Sequence, residues 1–125
     1  MSTREASTAD DPVIESLDQL VAPMLKGEKP PERWRIGTEH EKLVFKQSDH
    51  SAPSYDERGG IRDLLKGMEK FGWSPVEEGG HVIALKGDDG AVSLEPAGQL
   101  ELSGAPLENL HQTCAETGRH LVQVK

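Results

Sequence analysis

Cysteine and aromatic residues are scarce in this 125-residue chain, and no stretch is apolar enough for a signal peptide or a membrane span. The single cysteine, Cys114, excludes an internal disulfide and fits a reducing compartment. The first eleven residues are small and polar, and the acids among them argue against an organellar transit peptide. We therefore predict a cytoplasmic protein whose residues 1–11 are disordered.

Positive charge is also in short supply. Fourteen Lys and Arg residues stand against 22 Asp and Glu residues, which gives a net charge of −8. Because no basic stripe is present, we predict neither a nucleic acid nor a membrane as partner. The length of 125 residues suffices for one domain with a modest core, although a hydrophobic content of 34% is on the thin side for an independent fold. An acidic chain that binds an anionic substrate needs metal ions, or basic residues from elsewhere, to attract it.

The most informative stretch is residues 93–104, SLEPAGQLELSG, where polar and apolar side chains alternate around a Pro-Ala-Gly corner. Alternation is typical of half-buried strands, and the corner is typical of a short hairpin loop. With a three-residue loop, Glu95 lies across from Gln99, and Ser93 lies across from Glu101. The two acids are then diagonal neighbours, roughly 7–8 Å apart between Cα atoms. The opposite face carries Val92, Leu94, Leu100 and Leu102.

A second pair of acids lies in residues 34–45, WRIGTEHEKLVF, which we interpret as one long strand. Glu39 and Glu41 project to the same side, with about 6.6 Å between their Cα atoms. One antiparallel sheet can bring all four carboxylates to a single face, where two charges about 7 Å apart repel by roughly 2 kcal/mol. Protons or cations must offset that repulsion. Oxygen ligands on a rigid sheet favour Mg²⁺ over Zn²⁺.

The remaining segments complete an α+β pattern, an antiparallel sheet with an acidic concave face flanked by helices. Strands at 73–77 and 81–86, with a turn at 87–90, lead into the hairpin. Helices are predicted from Asp11-Pro12 to Gly27 at the latest, over 60–72, and from Pro106 onward. Because the last helix has no stop signal before Lys125, we expect the chain to be a truncated piece.

Three motifs together resemble the plant and proteobacterial type of glutamate–cysteine ligase. They are GTEHEK at 37–42, GIRDLL at 60–65 and SLEPAGQLELSGAPLENLHQTC at 93–114. The resemblance extends from about Trp34 to Lys125 and covers the N-terminal part of that enzyme. It implies that residues 12–125 begin a single catalytic domain, part of a glutamine-synthetase-like half-funnel.

The implied activity is the first step of glutathione synthesis, in which ATP drives ligation of the glutamate γ-carboxylate to the cysteine amine through γ-glutamyl phosphate. Glutamate, cysteine and ATP are the implied small-molecule partners. The resemblance assigns the Mg²⁺ that contacts the ATP phosphates to Glu39, Glu41, Glu95 and Glu101. Gln99 and Ser93 face the same way, and we assign them to substrate binding, with ordering of the acids as the alternative. No residue is assigned a catalytic role, and oligomeric state is not predicted.

Two departures from the family pattern affect this interpretation little. Ala97 stands where the family usually has Gly, which strains the corner if a positive φ is needed there. Leu43-Val44 replaces a more typical Phe-Gly. Since the cationic groups that would bind these anionic substrates are mostly absent, we expect the piece alone to be inactive. The alternatives are a sister ligase of ergothioneine synthesis, or a non-catalytic module whose acids bind a divalent cation or a basic partner.

Several other residues are predicted to be structural. His40 lies on the opposite side of its strand from the two neighbouring acids and matches no zinc signature. Cys114 can form a redox bridge in plant relatives, but no second cysteine is present here, so a small buried helix residue is the better interpretation. Trp34 and Trp73 are predicted to lie in the core.

Overall fold

A computed structural model describes residues 13–88 and 90–125, and the chain divides into two compact units, residues 1–34 and 35–125. The elements are α1 (Leu17–Gly27), β1 (Glu39–Leu43), α2 (Ile61–Met68), β2 (Ser74–Glu78), β3 (His81–Lys86), β4 (Ala91–Glu95), β5 (Gln99–Ser103) and α3 (Leu110–Gln123). Within the described residues, no helix combines the length and apolar character needed to cross a bilayer.

In the first unit, α1 begins later than predicted. The Ser16 side chain accepts a hydrogen bond from the Gln19 backbone, and the Gln19 side chain accepts one from the Ser16 backbone. This reciprocal capping box satisfies two backbone donors at the helix start. The predicted start at Asp11-Pro12 lies outside the described residues, and 13–15 are not helical. The helix runs through Pro23 and ends at Gly27, the latest end predicted.

The second unit contains a five-stranded sheet in the order β1-β5-β4-β3-β2, in which every neighbouring pair is antiparallel. The predicted α+β class with an antiparallel sheet is therefore confirmed. Three successive hairpins place β2 to β5 side by side, and β1 completes the sheet at the free edge of β5. The half-funnel shape stays a prediction.

The first strand is shorter than predicted, covering only Glu39–Leu43 of residues 34–45. It ends because its partner begins at Gln99, directly opposite Leu43, and the chain before Gln99 turns away. Ahead of the strand, Ile36 instead forms an isolated bridge with Leu107, with hydrogen bonds of 2.6 and 2.9 Å. The length of β1 is thus set by the length of β5, the strand that it pairs with.

The core lies between α2 and one face of the sheet. Three residues of α2 spaced at helical intervals are buried against apolar strand residues. Each such leucine or methionine stabilises the fold by about 2 kcal/mol. The cluster comprises Ile61, Leu65, Met68, Val82, Leu85, Val92, Leu100 and Leu102. A final 3₁₀ turn after α2 ends at Gly72, whose φ of +94° suits glycine.

Some predictions for single residues are corrected. Trp34 is 65% exposed, so it does not belong to the core. Trp73 is half-buried, packs against the core and donates a hydrogen bond from Nε1 to Gln123 over 2.9 Å. Cys114 is exposed, contrary to prediction, because the side of α3 that is shielded from solvent carries Thr113, Glu116, Thr117 and His120 instead. This helix begins at Leu110 rather than Pro106, since Asn109 caps it.

Candidate metal-binding face

The hairpin of β4 and β5 has the predicted register. Glu95 pairs with Gln99, and Ser93 pairs with Glu101. The Pro96–Gly98 corner makes this possible, because Ala97 and Gly98 both adopt positive φ angles, +66° and +75°. Left-handed residues turn the chain back on itself within three positions. The corner therefore aligns the two acids of the hairpin on one side of the sheet.

The other two acids come from β1. Glu41 lies directly across from Glu101, and Glu39 lies directly across from Ser103. Directly paired residues of antiparallel strands point to the same face, with Cβ atoms about 4.5–5.5 Å apart. Glu39, Glu41, Glu95 and Glu101 therefore share one face, as strand alternation predicted. We call this the acidic face.

Glu101 occupies the centre of the acidic face. It has Glu41 opposite it on β1 and Ser93 opposite it on β4, with Glu39 and Glu95 on its diagonals. Its exposed fraction is only 2%, whereas Glu39 and Glu41 are exposed. Glu101 thus has an acid as a neighbour on each of the two adjacent strands.

Each of three acids accepts a hydrogen bond from a neutral side chain on the same face. The contacts are Ser103 Oγ to Glu101 Oε1 at 2.8 Å, Ser93 Oγ to Glu95 Oε1 at 3.0 Å, and Gln99 Nε2 to Glu41 Oε2 at 2.8 Å. Ser93 and Gln99 thus contact the acids, while their assignment to substrate binding stays a prediction. Sequence reasoning missed Ser103 as a partner, although its spacing of two residues from Glu101 was a usable signal.

The acidic face fits a hard divalent cation in its donor chemistry. Among residues 13–88 and 90–125, no three His, Cys, Asp or Glu side chains are gathered closely enough to hold one ion. The acids are instead arranged as neighbours in pairs. Mg²⁺ sites that handle phosphates commonly use one or two carboxylates and complete the octahedron with phosphate oxygens and water. Pairs of carboxylates therefore suffice for such an ion, and the four-acid ligand set stays a prediction.

Basic side chains near the acids lie mainly beneath the sheet. Lys42 and His40 point to the opposite face, where they pair in register with Leu100 and Leu102. Burial lowers the pKa of Lys42, and the charge of Glu101 partly offsets this. Burial and the neighbouring Lys42 lower the pKa of His40. The two side chains contact each other, since Lys42 Nζ lies 3.4 Å from His40 Nδ1, and Lys42 Nζ also donates to the His40 backbone carbonyl. The acidic face thus keeps its negative charge, with Lys86 at its rim.

The fold and the acidic face define a class of protein, an α+β domain whose antiparallel sheet carries carboxylates on one face. The model of glutamate-cysteine ligase family 2 matches residues 35–125, which is most of the chain. The chain therefore belongs to this family, as its motifs predicted.

Curated relatives agree with this assignment. The chain is 50% identical to the chloroplastic glutamate–cysteine ligase A of Oryza sativa subsp. japonica, 49% identical to the chloroplastic enzyme of Solanum lycopersicum and 48% identical to that of Arabidopsis thaliana. Each alignment covers 98% of this chain but only 24%, 23% and 23% of the respective relative. The chain thus spans about a quarter of the length of these enzymes.

The predicted cytoplasmic location is wrong. The relatives that the chain matches are named as chloroplastic enzymes, not cytoplasmic ones. The prediction rested on a polar, acid-containing start and a single cysteine. These features bear on leader peptides and disulfides, and a reducing environment does not identify one compartment.

Proposed function

We propose that this chain forms part of an ATP-dependent glutamate–cysteine ligase and supplies the carboxylates that bind Mg²⁺ there. One observation carries the proposal: the register that sets Glu41 opposite Glu101, with Glu39 and Glu95 on the diagonals, in a chain of this family. Four like charges on one face repel each other unless cations offset them. A nucleotide brought with Mg²⁺ supplies such cations.

The proposed reaction has two steps. In the first, the γ-carboxylate oxygen of glutamate forms a bond to the γ-phosphorus of ATP, the bond to the bridging oxygen breaks, and ADP leaves. In the second, the cysteine nitrogen forms a bond to the activated carbonyl carbon, inorganic phosphate leaves, and the nitrogen gives up a proton. When bound, Mg²⁺ neutralises phosphate charge and keeps the reacting oxygens in line.

The chain's own residues have a binding role in these steps. Glu101 and Glu41, directly opposite each other on two neighbouring strands, would hold one cation between them. Because the strands are hydrogen-bonded to each other, the spacing of the carboxylates is set before the nucleotide arrives. Such preorganisation lowers the barrier to reaching the reactive arrangement.

We also propose that residues 1–125 alone do not complete the reaction. ATP and glutamate are anionic, and the described part of the acidic face carries Lys86 at its rim as its basic residue. Side chains that bind the substrates' carboxylates must then come from elsewhere in the protein. Assays therefore need the protein as its gene encodes it.

The test replaces Glu101 by Gln, which preserves the shape of the side chain and removes its charge. We expect kcat/KM for MgATP to fall on the order of 10²-fold, because a lost metal ligand removes several kcal/mol of charge stabilisation. Glu77→Gln is the matched control, since Glu77 is an exposed acid on β2 outside the set. The assay follows phosphate release with glutamate and cysteine.

The two variants separate the candidate functions. Equal phosphate release from the Glu101→Gln and Glu77→Gln proteins would contradict the proposed ligand role. Product analysis by mass spectrometry identifies the amine acceptor, and ligation to a cysteine analogue in preference to cysteine would point to the sister ligase. Cation binding without phosphate release under any of these conditions would favour the non-catalytic module.

A further inference from the structure

Three neutral donors on the acidic face are each paired with a different acid. Two of these pairs follow the same rule along a strand, because the donor and the acid are two residues apart and so share a face. On β4 the order is Ser93 then Glu95, and on β5 it is Glu101 then Ser103. The third donor, Gln99, reaches from β5 to Glu41 on β1. Acids on three adjacent strands, β1, β5 and β4, therefore accept hydrogen bonds from donors that all lie on β4 or β5.

Neutral donors do something for these acids that basic residues would not. A hydroxyl or amide N–H that donates to a carboxylate favours its ionised form. It adds no positive charge, so the negative field that attracts a cation is kept. A Lys or Arg in the same place would hold the carboxylate equally well but would cancel that field. The side-chain chemistry at Ser93, Gln99 and Ser103 is thus suited to a face that binds cations.

The donors also restrict how the carboxylates can turn. A glutamate side chain has three rotatable bonds, and a ligand whose orientation is fixed in advance binds a metal more tightly than one that must be ordered. Glu101 shows this best, because it is buried at the centre of the face and accepts from Ser103 at 2.8 Å. Ser93 is itself 7% exposed, so its contact with Glu95 is shielded from competing water.

We propose that Ser103, together with Ser93 and Gln99, is a positioning residue that orients the acids of this face for a hard divalent cation. The inference rests on the proposed function, in which the acids are metal ligands. It assigns Ser103 a role and turns Ser93 and Gln99 from substrate contacts into supports of the metal ligands.

The experiment titrates the full chain with Mn²⁺ alone, a hard ion that takes oxygen ligands in octahedral geometry. Loss of the free Mn²⁺ signal in electron paramagnetic resonance reports binding directly. We expect Ser103→Ala to raise the Mn²⁺ dissociation constant about tenfold, the lower end of what loss of a supporting hydrogen bond produces. Ser103→Thr keeps the hydroxyl and should restore the wild-type constant.

A control separates positioning from a general effect on the sheet. Ser74 lies on β2 opposite Lys86, on the same face of the sheet but away from the acids. Ser74→Ala should leave the Mn²⁺ constant unchanged. Urea unfolding of each variant establishes that it is fully folded under the titration conditions, so that a change in affinity cannot be ascribed to unfolded protein.

Each result decides between the proposals. If wild-type protein binds Mn²⁺ and Ser103→Ala binds it equally well, the positioning role is wrong while the metal-binding role of the acids stands. If wild-type protein shows no saturable Mn²⁺ binding, the metal-binding role itself is overturned, and the positioning role with it. A tenfold weaker Mn²⁺ affinity in Ser103→Ala, restored in Ser103→Thr, supports both the metal-binding role of the acids and the positioning role of Ser103.

Discussion

The two faces of this sheet share the same strands but do opposite things. Leu100 and Glu101 are neighbours on β5, exposed to 1% and 2% respectively, and they point to opposite sides. Burial of Leu100 stabilises the fold by about 2 kcal/mol. Burial of Glu101 opposite Glu41 removes a charge from water beside a like charge, and hydrogen bonds such as the one from Ser103 outweigh that cost, so that the pKa of Glu101 is lowered. The apolar face therefore stabilises the sheet on which the acidic face is built.

The apolar face changes character beneath β1. There His40 and Lys42 replace the leucines, and His120 of α3 lies buried with a 2% exposed fraction. Within the described residues, neither ring nitrogen of His120 has a hydrogen-bond partner. Groups that can carry positive charge thus underlie the negative face, and burial lowers the pKa of each.

Leu100→Ala tests the comparison most strongly. We expect the free energy of unfolding to fall by about 3 kcal/mol, from lost burial and from the cavity left behind. Glu101→Gln, one residue away, should change it by less than about 1 kcal/mol, because the amide oxygen can still accept from Ser103 while the repulsion with Glu41 is lost. Urea unfolding followed by circular dichroism measures both. A Leu100→Ala protein as stable as the Glu101→Gln protein would show that the two faces do not divide the roles as described.

The lowered pKa of His120 provides the second test. Burial, and then the charges of Lys42 and His40, lower its pKa from 6.5 to about 4. Between these values the unfolded chain binds a proton that the folded chain does not, so stability must fall as the pH falls from 6.5 towards 4. At pH 5 the loss relative to pH 7.5 should be about 2 kcal/mol, since one pKa unit corresponds to 1.36 kcal/mol.

Urea unfolding at pH 7.5 and pH 5 checks this expectation. His120→Leu should remove most of the pH dependence in that window. His111→Leu is the control, because His111 is exposed on the same helix. Glu116 and Arg119 also lie near His120 along α3, but they are unchanged in both variants. If the free energy of unfolding depends equally on pH in the His120→Leu protein and in wild type, the His120 imidazole is not buried in its neutral form.

Strand register was predictable from the sequence because only one register fits the pattern. Alternation with period two and a three-residue corner force Ser93 opposite Glu101, and a slip of one residue would expose Leu100 and bury Ser103. The common face of the four acids also needs the register of β1 against β5, which could be inferred from the sequence only as an arrangement that one antiparallel sheet can adopt. The hairpin was predictable because its register needs no knowledge of side-chain packing.

Helix starts were mispredicted because competing signals lay close together. Pro106 suits a first helical position, but Asn109 is followed three residues later by Gln112, and this pair forms a capping box. The same arrangement of Ser16 and Gln19 decides the start of α1. Reciprocal capping satisfies two backbone groups, whereas proline only avoids leaving one unsatisfied. The capping pairs were visible in the sequence, and they are a stronger signal for a helix start than proline is.

Burial and hydrogen-bond choice could not be predicted from local pattern. The exposure of Trp34 and Cys114 depends on which residues happen to pack beside them, and that is decided by distant parts of the chain. The contact of Ser103 with Glu101 depends on a hydroxyl rotamer, since the same serine could face a backbone group or water. The two-residue period of a strand determines only on which side of the sheet a side chain lies, not what that side chain contacts.

The corner between β4 and β5 belongs to neither the apolar nor the acidic face of the sheet. A substitution there has the smallest expected effect on the free energy of unfolding. Ala97 has φ +66° and ψ +15°, a left-handed conformation that disfavours a side chain by about 1–2 kcal/mol. Glycine avoids this strain but loses about 0.5–1 kcal/mol through the greater freedom of the unfolded chain. Ala97→Gly should therefore raise the free energy of unfolding by about 0.5–1 kcal/mol, measured by urea unfolding.

Ala91→Gly is the matched substitution, because Ala91 sits within β4 with an ordinary strand backbone. It should lower stability by about 0.5–1 kcal/mol, since only the entropy of the unfolded chain changes. The same replacement thus has opposite signs at two positions six residues apart. If both variants were destabilised, the left-handed corner would be wrong, and with it the short loop that aligns Glu95 and Glu101 on one side of the sheet.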